Sequence, residues 1–127
     1  MYKAFMVGSG GFIGVVLRYT VCGSVLKLFP ASRFPLGTLT VNIVGCLLIG
    51  FFMQLNELRA AFSEPAKLLL FVGIFGGFTT YSVFGNETVK LLNEDKAFLG
   101  FANIGLHLIL GLGAVWLGRL SGSFVFR

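Results

Sequence analysis

The sequence predicts an all-α membrane protein: four transmembrane helices, the third interrupted mid-membrane, assembled as an antiparallel dimer. Three observations predict it. Apolar runs of roughly 20 residues, the length a bilayer requires, use up nearly all of the 127 residues, which are 56% hydrophobic with a mean hydropathy of +0.90. A glycine- and threonine-rich stretch, residues 73–87, lies inside one of those runs. The basic residues divide almost evenly between the two sides of the four spans.

The spans fall at about residues 4–28, 36–55, 66–92 and 97–122, which makes residues 1–127 a single four-helix domain. The first is read as a retained helix. Its apolar stretch is long for a signal peptide, Arg18 lies inside it, and no small-residue cleavage site ends it. The side with the N-terminus, second loop and C-terminus carries Lys3, Arg59, Lys67, Arg119 and Arg127; the other carries Lys27, Arg33, Lys90 and Lys96. Five against four gives almost no orienting bias. Such a chain is expected to insert both ways round and to pair antiparallel.

Span one places Gly10, Gly14 and Arg18 four residues apart on one face. The glycines permit close helix approach. Arg18 sits too deep for easy snorkelling and is expected to face a polar interior or an ion contact. Pro30 and Pro35 mark the first loop. Span two brings Thr38, Asn42 and Gly45 to one face. An asparagine amide in an apolar medium must find partners, either another helix or a passing anion. Cys22 and Cys46 lie inside spans one and two without metal-ligand spacing, and read as buried apolar fillers.

Span three carries Gly76-Gly77 followed by Thr79-Thr80, a pattern that favours a kink or an unwound turn. Non-helical backbone at membrane depth survives only when buried in protein or lining a polar path. Past the break, Tyr81, Phe84 and Glu87 follow at three-residue steps along one stripe. Span four puts Asn103 and His107 on one face, with Gly111 next. A lone intramembrane histidine reads as a satisfied interface residue. Trp116 suits an interfacial belt.

No Ser/His/Asp set, paired carboxylates, metal-spaced cluster or phosphate-binding loop is present in the sequence, so an enzyme is not expected. The formal net charge is +5, but the basic residues scatter over helix ends and form no patch for nucleic acid.

The runs Gly10-Gly11-Phe12-Ile13-Gly14 to Arg18-Tyr19, Gly37-Thr38-Leu39-Thr40-Val41-Asn42, and Gly76-Gly77-Phe78-Thr79-Thr80-Tyr81-Ser82-Val83-Phe84 with Glu87 resemble the small Fluc (CrcB) fluoride channels. The resemblance covers all four spans in order. It implies an antiparallel homodimer in the cell inner membrane that passively exports fluoride. It also implies two pores and one central structural sodium ion. By motif position the sodium is held by the backbone carbonyls of Gly76 and Thr79. The fluoride pathway is formed by Asn42, Tyr81 and Phe84 and continued by Thr80 and Ser82. Arg18, Thr38 and Glu87 occupy vestibule or structural positions. Three positions depart from the family pattern: Tyr81 stands where phenylalanine is usual, Val83 where a hydroxyl is usual, and Gly85-Asn86 replaces a small pair.

The partners so implied are fluoride, the lipid bilayer and a second copy of the chain, or a paralogue in a heterodimeric channel. Two readings of other classes stay open. A small dual-topology exporter needs a deep carboxylate, conventionally in span one, where this chain has Arg18 instead. A membrane scaffold explains the glycines but not Arg18, Asn42 and the break together.

Overall fold

Each apolar run folds as a helix, because only a ladder closed within the segment pairs every backbone N–H and C=O where water is absent. The computed structural model describes residues 1–126. Arg127, assigned by sequence to one basic side, lies outside them. Five helices follow in order: α1 Tyr2–Leu28, α2 Leu36–Arg59, α3 over residues 64–78, α4 Tyr81–Asn93 and α5 Ala97–Phe126. Helix α3 opens with Glu64–Lys67, turns π-helical over Leu68–Phe75 and ends with Gly76–Phe78. Four stretches, Tyr2–Leu28, Leu36–Arg59, Glu64–Asn93 and Ala97–Val125, are long and apolar enough to cross a membrane.

The helices outrun the apolar stretches. Helix α2 continues through Asn56 to Arg59, and its Glu57 pairs with Arg119 of α5. Polar helix ends of this kind project into water without losing their backbone ladder. Ala60, at φ 47°, closes α2 with its N–H on Asn56 O. Pro65 sits in the first turn of α3, where its missing N–H has no helical acceptor to lose.

Two pairings organise the bundle. Helix α2 packs most extensively on α5, and α1 packs on α3. Helix α4 lies against α5. The α1–α3 contact is backbone on backbone. A Cβ on Gly14 would stand 2.9 Å from Phe78 N, and one on Gly77 would stand 2.8 Å from Gly11 O. No side chain fits there, so the glycines are required by the approach itself. The buried apolar core is small: Leu39, Val41, Phe75, Phe78, Leu91 and Ala114. Much of the outer surface is apolar, including Phe12, Tyr19, Ile109 and Leu112, as a protein solvated by lipid requires.

Within the glycine- and threonine-rich stretch of the third span the two residue types behave differently. Gly76 and Gly77 remain helical, and the chain leaves the helix at the two threonines instead. Thr79 has φ −89° and ψ 160°, and Thr80 φ −151° and ψ 119°, both extended. β-Branched residues accept extended backbone readily. The glycines are taken up by contact with α1. The π-helical stretch just before them carried no sequence signal. Cys22 and Cys46 are free and half-buried, not buried as expected, because Cys46 borders a cavity and Cys22 only partly shelters under Gly37 of α2.

Candidate functional site

A two-residue gap in a helix frees backbone groups that must be paired elsewhere. Three side chains meet that demand. Asn42 of α2 grips Thr80 at both ends of its peptide backbone: Thr80 N–H donates to Asn42 Oδ1 at 2.8 Å, and Asn42 Nδ2 donates to Thr80 O at 3.0 Å. Arg18 of α1 donates from Nη1 to Thr79 O at 3.0 Å. Thr80 caps the helix that follows, its Oγ1 accepting from Val83 N–H at 3.3 Å. The half-buried arginine and asparagine therefore share one task, which is to satisfy the backbone of the break.

Asn42 has further consequences. In an unbroken helix Thr80 N–H would bond to Gly76 O. Since Asn42 Oδ1 takes that hydrogen, Gly76 O is released from its helical partner. Only one of the two Nδ2 hydrogens is used by Thr80 O, which leaves a second donor on the amide.

A cavity of about 380 Å³ opens at this point, and its lining includes Asn42, Thr79, Thr80, Tyr81, Phe84 and His107. Tyr81 and Phe84 have ring centroids 5.5 Å apart, and Phe84 and His107 4.3 Å apart. Tyr81 borders the cavity yet is 84% exposed in the single chain, so one side of the site is not closed by this protomer.

The structure thus brings Asn42, Thr80, Tyr81 and Phe84 together, with Gly76 and Thr79 at the same cavity. Ser82 is exposed and reaches the group only through Thr80, with the two hydroxyl oxygens 3.4 Å apart. Arg18 approaches the break through the Thr79 carbonyl. Thr38 and Glu87 form a separate contact between α2 and α4, with Thr38 Oγ1 donating to Glu87 Oε1 at 2.7 Å. Glu87 Oε2 is buried and finds no hydrogen-bond partner among the described residues.

Sequence reasoning set His107 aside as a satisfied residue, and the structure corrects that. His107 Nδ1 lies 2.9 Å from Asn103 O, but Nε2 is buried with no hydrogen-bond partner among the described residues. Its ring lies over Phe84. The four-residue spacing of Asn103 and His107 was the available signal; that this face turns toward Phe84 depends on how α5 packs. Among the described residues no group of three or more His, Cys, Asp or Glu side chains is placed to hold a metal.

The family described as "CrcB-like protein, Camphor Resistance (CrcB)" matches residues 5–119. A protein of Methanosarcina acetivorans named fluoride-specific ion channel FluC 1 is 44% identical over 121 residues, covering 95% of this chain and 91% of its own. One from Clostridium novyi, named fluoride-specific ion channel FluC, is 43% identical over 123 residues, covering 97% and 95%. A third, from Rhizobium etli and of the same name, is 40% identical over 127 residues, covering 100% and 98%. These relatives are named as ion channels, not enzymes. With four helices able to cross a membrane and a family match over almost its full length, this chain is a multi-pass membrane protein and belongs to the CrcB family.

Proposed function

We propose that this chain is a fluoride-selective channel that lets fluoride leave the cell passively across the inner membrane. The observation that carries the reading is the cavity at the break, where Asn42, Thr80, Tyr81 and Phe84 converge. Fluoride is small and tightly hydrated, so a path must replace lost water with donors and with the positive edges of aromatic rings. The second Nδ2 hydrogen of Asn42, the Tyr81 hydroxyl and the ring edges of Tyr81 and Phe84 supply those groups. The names of the similar proteins support the choice of ion.

The pathway requires a second copy. Tyr81 stands largely exposed at the site, and the near-parity of basic residues permits opposite insertion. Two chains in antiparallel register would close two pores, each between copies, with the breaks of the third spans at mid-membrane depth. A paralogue in place of the second copy would serve the same geometry.

The break also suits a structural sodium ion in donor type. Gly76 O is released by the Asn42 clamp, and Thr79 O, although bonded to Arg18, keeps a second lone pair. Hard cations favour oxygen ligands of this kind. Bound there, the ion would add positive potential beside the anion path. Arg18 supplies fixed positive charge to the same carbonyl.

Efflux from vesicles holding the purified protein, read with a fluoride electrode and with chloride as control, tests the reading. Fluoride release without chloride release is expected, and Phe84→Ile should slow it while the dimer persists. No halide release, or release of both ions alike, removes the proposal. A tag on the N-terminus should be reached from both faces of the cell membrane; labelling from one face alone removes the antiparallel arrangement.

A further inference from the structure

The Phe84 ring lies between two others. Tyr81 precedes it by one turn on α4, and His107 of α5 lies over it at 4.3 Å with an interplanar angle of 40°. The imidazole is itself anchored. Its Nδ1 lies 2.9 Å from Asn103 O, and since a carbonyl only accepts, Nδ1 carries the hydrogen. Asn103 is fully buried and donates from Nδ2 to Thr88 Oγ1 at 2.9 Å. Thr88 gives its own hydroxyl hydrogen to Phe84 O at 2.8 Å. The contacts close a loop: Phe84 carbonyl, Thr88, Asn103, His107 and back to the Phe84 ring. The Phe84 carbonyl and ring are thereby tied together through Thr88 of α4 and Asn103 and His107 of α5.

Ring orientation matters for an anion. The edge of a phenyl ring is positive and its face negative. A phenylalanine free to change rotamer would turn its face to the path for part of the time and repel what it should attract. A ring packed closely against it removes that freedom.

We infer that His107 is a positioning residue for the pathway, holding the Phe84 ring edge-on while Asn103 and Thr88 hold the imidazole. The inference rests on the fluoride-channel reading above. The role belongs to the ring and not to a proton: Nε2 meets no hydrogen-bond partner among the described residues, so a hydrocarbon ring of similar size keeps the contact that counts.

Fluoride efflux from vesicles distinguishes this from general packing. His107→Leu, which keeps bulk but loses the ring, should slow release about five- to tenfold, the scale of one aromatic pair. His107→Phe should recover most of that loss. In a Phe84→Leu background, His107→Leu should add nothing, because the group it positions is gone. The purified variants should elute as wild type does. Three results overturn the inference while leaving the channel reading intact: a wild-type rate in His107→Leu, equal slowing in both backgrounds, or His107→Phe as slow as His107→Leu. Loss of assembly in His107→Leu, with Phe84→Leu assembling normally, overturns it too by making His107 a folding residue. Absence of fluoride release from the wild-type protein is a different failure, which removes the channel reading first and this inference with it.

Discussion

Residues 64–78 of the third span meet the rest of the molecule through bare backbone and aromatic rings, while residues 81–93 add hydrogen bonds from polar side chains to contacts such as those of Phe84 and Leu91. On the first side, Gly73 and Gly77 lie against Gly10 and Gly11 of α1. Phe71 and Phe75 join Phe52 and Phe62 in a chain of ring contacts with centroids 5.8–6.1 Å apart. On the second side, Glu87 takes a hydrogen bond from Thr38, and Thr88 takes one from Asn103. The first half is held by shape and the second by hydrogen bonding. The difference follows from what each half must do. A helix that stops needs a rigid support up to the point where it stops. On the channel reading proposed above, the second half lines an anion path and needs polar groups, each of which must be paired wherever it leaves that path.

Gly14→Val attacks the shape-held half and should have the largest effect. A Cβ there meets Phe78 N at 2.9 Å, and the obstacle is backbone, which cannot rotate away. Overpacking of this kind should destabilise by about 3 kcal/mol or more. Thermal unfolding in detergent should show a large drop, and little folded protein should be recovered. A stable Gly14→Val protein would mean that α1 and α3 are not in backbone contact.

Asn42→Asp acts at the junction of the halves and ranks second. The carboxylate still accepts from Thr80 N–H, but it cannot donate to Thr80 O and sets a negative charge against that carbonyl. Leaving the carbonyl unpaired should cost about 1–3 kcal/mol. The charge also borders the cavity, so on the channel reading fluoride efflux should fall further than stability does. Unchanged efflux would restrict Asn42 to the clamp alone.

These two positions mark how far the sequence was legible. Gly14 was readable because a four-residue spacing of glycines has a single steric meaning. Asn42 and Arg18 were readable as polar residues that must have partners, but their shared target was not. Pairing both with the carbonyls and N–H of adjacent threonines depends on where α1 and α2 cross the third span. The glycine pair did not by itself show where in the stretch the helix ends, since glycine serves close packing as well as it serves bending. The π-helical turns before it leave no mark in local composition. The reading of His107 as a satisfied interface residue fell short for a related reason: spacing shows which residues share a face but not which neighbour that face meets.

Thr88→Val tests the hydrogen-bonded half and should have a smaller effect. The substitution keeps the shape and removes the acceptor for Asn103 Nδ2, which is then left buried without it. Destabilisation of about 1–3 kcal/mol is expected, near the lower end because Thr88 also loses a donor with no new void. If Phe75→Leu proved milder than Thr88→Val, the division of the span into a shape-held and a hydrogen-bonded half would need redrawing.

At its outer ends the span loses this asymmetry, and there the smallest effect is expected. Glu64 pairs with Lys67 at 2.8 Å before the first half, and Glu94 pairs with Lys96 at 2.6 Å after the second. Glu94 is exposed, in the turn where Asp95 adopts φ 56°. The hydrogen bond from Lys96, with the ammonium charge beside it, holds the Glu94 carboxyl below the usual carboxylate range. A carboxyl lowered on folding stabilises the fold above its unfolded pKa, and that contribution is lost as pH falls through the folded value. Glu94→Gln should therefore lower the unfolding temperature slightly at neutral pH, and the gap from wild type should close in acid, where Glu94 is itself neutral. Salt should shrink the effect, as it does for any exposed pair. A gap that persisted in acid would show that Glu94 acts by its shape and not its charge, and would extend the shape-held mode of support beyond the first half of the span.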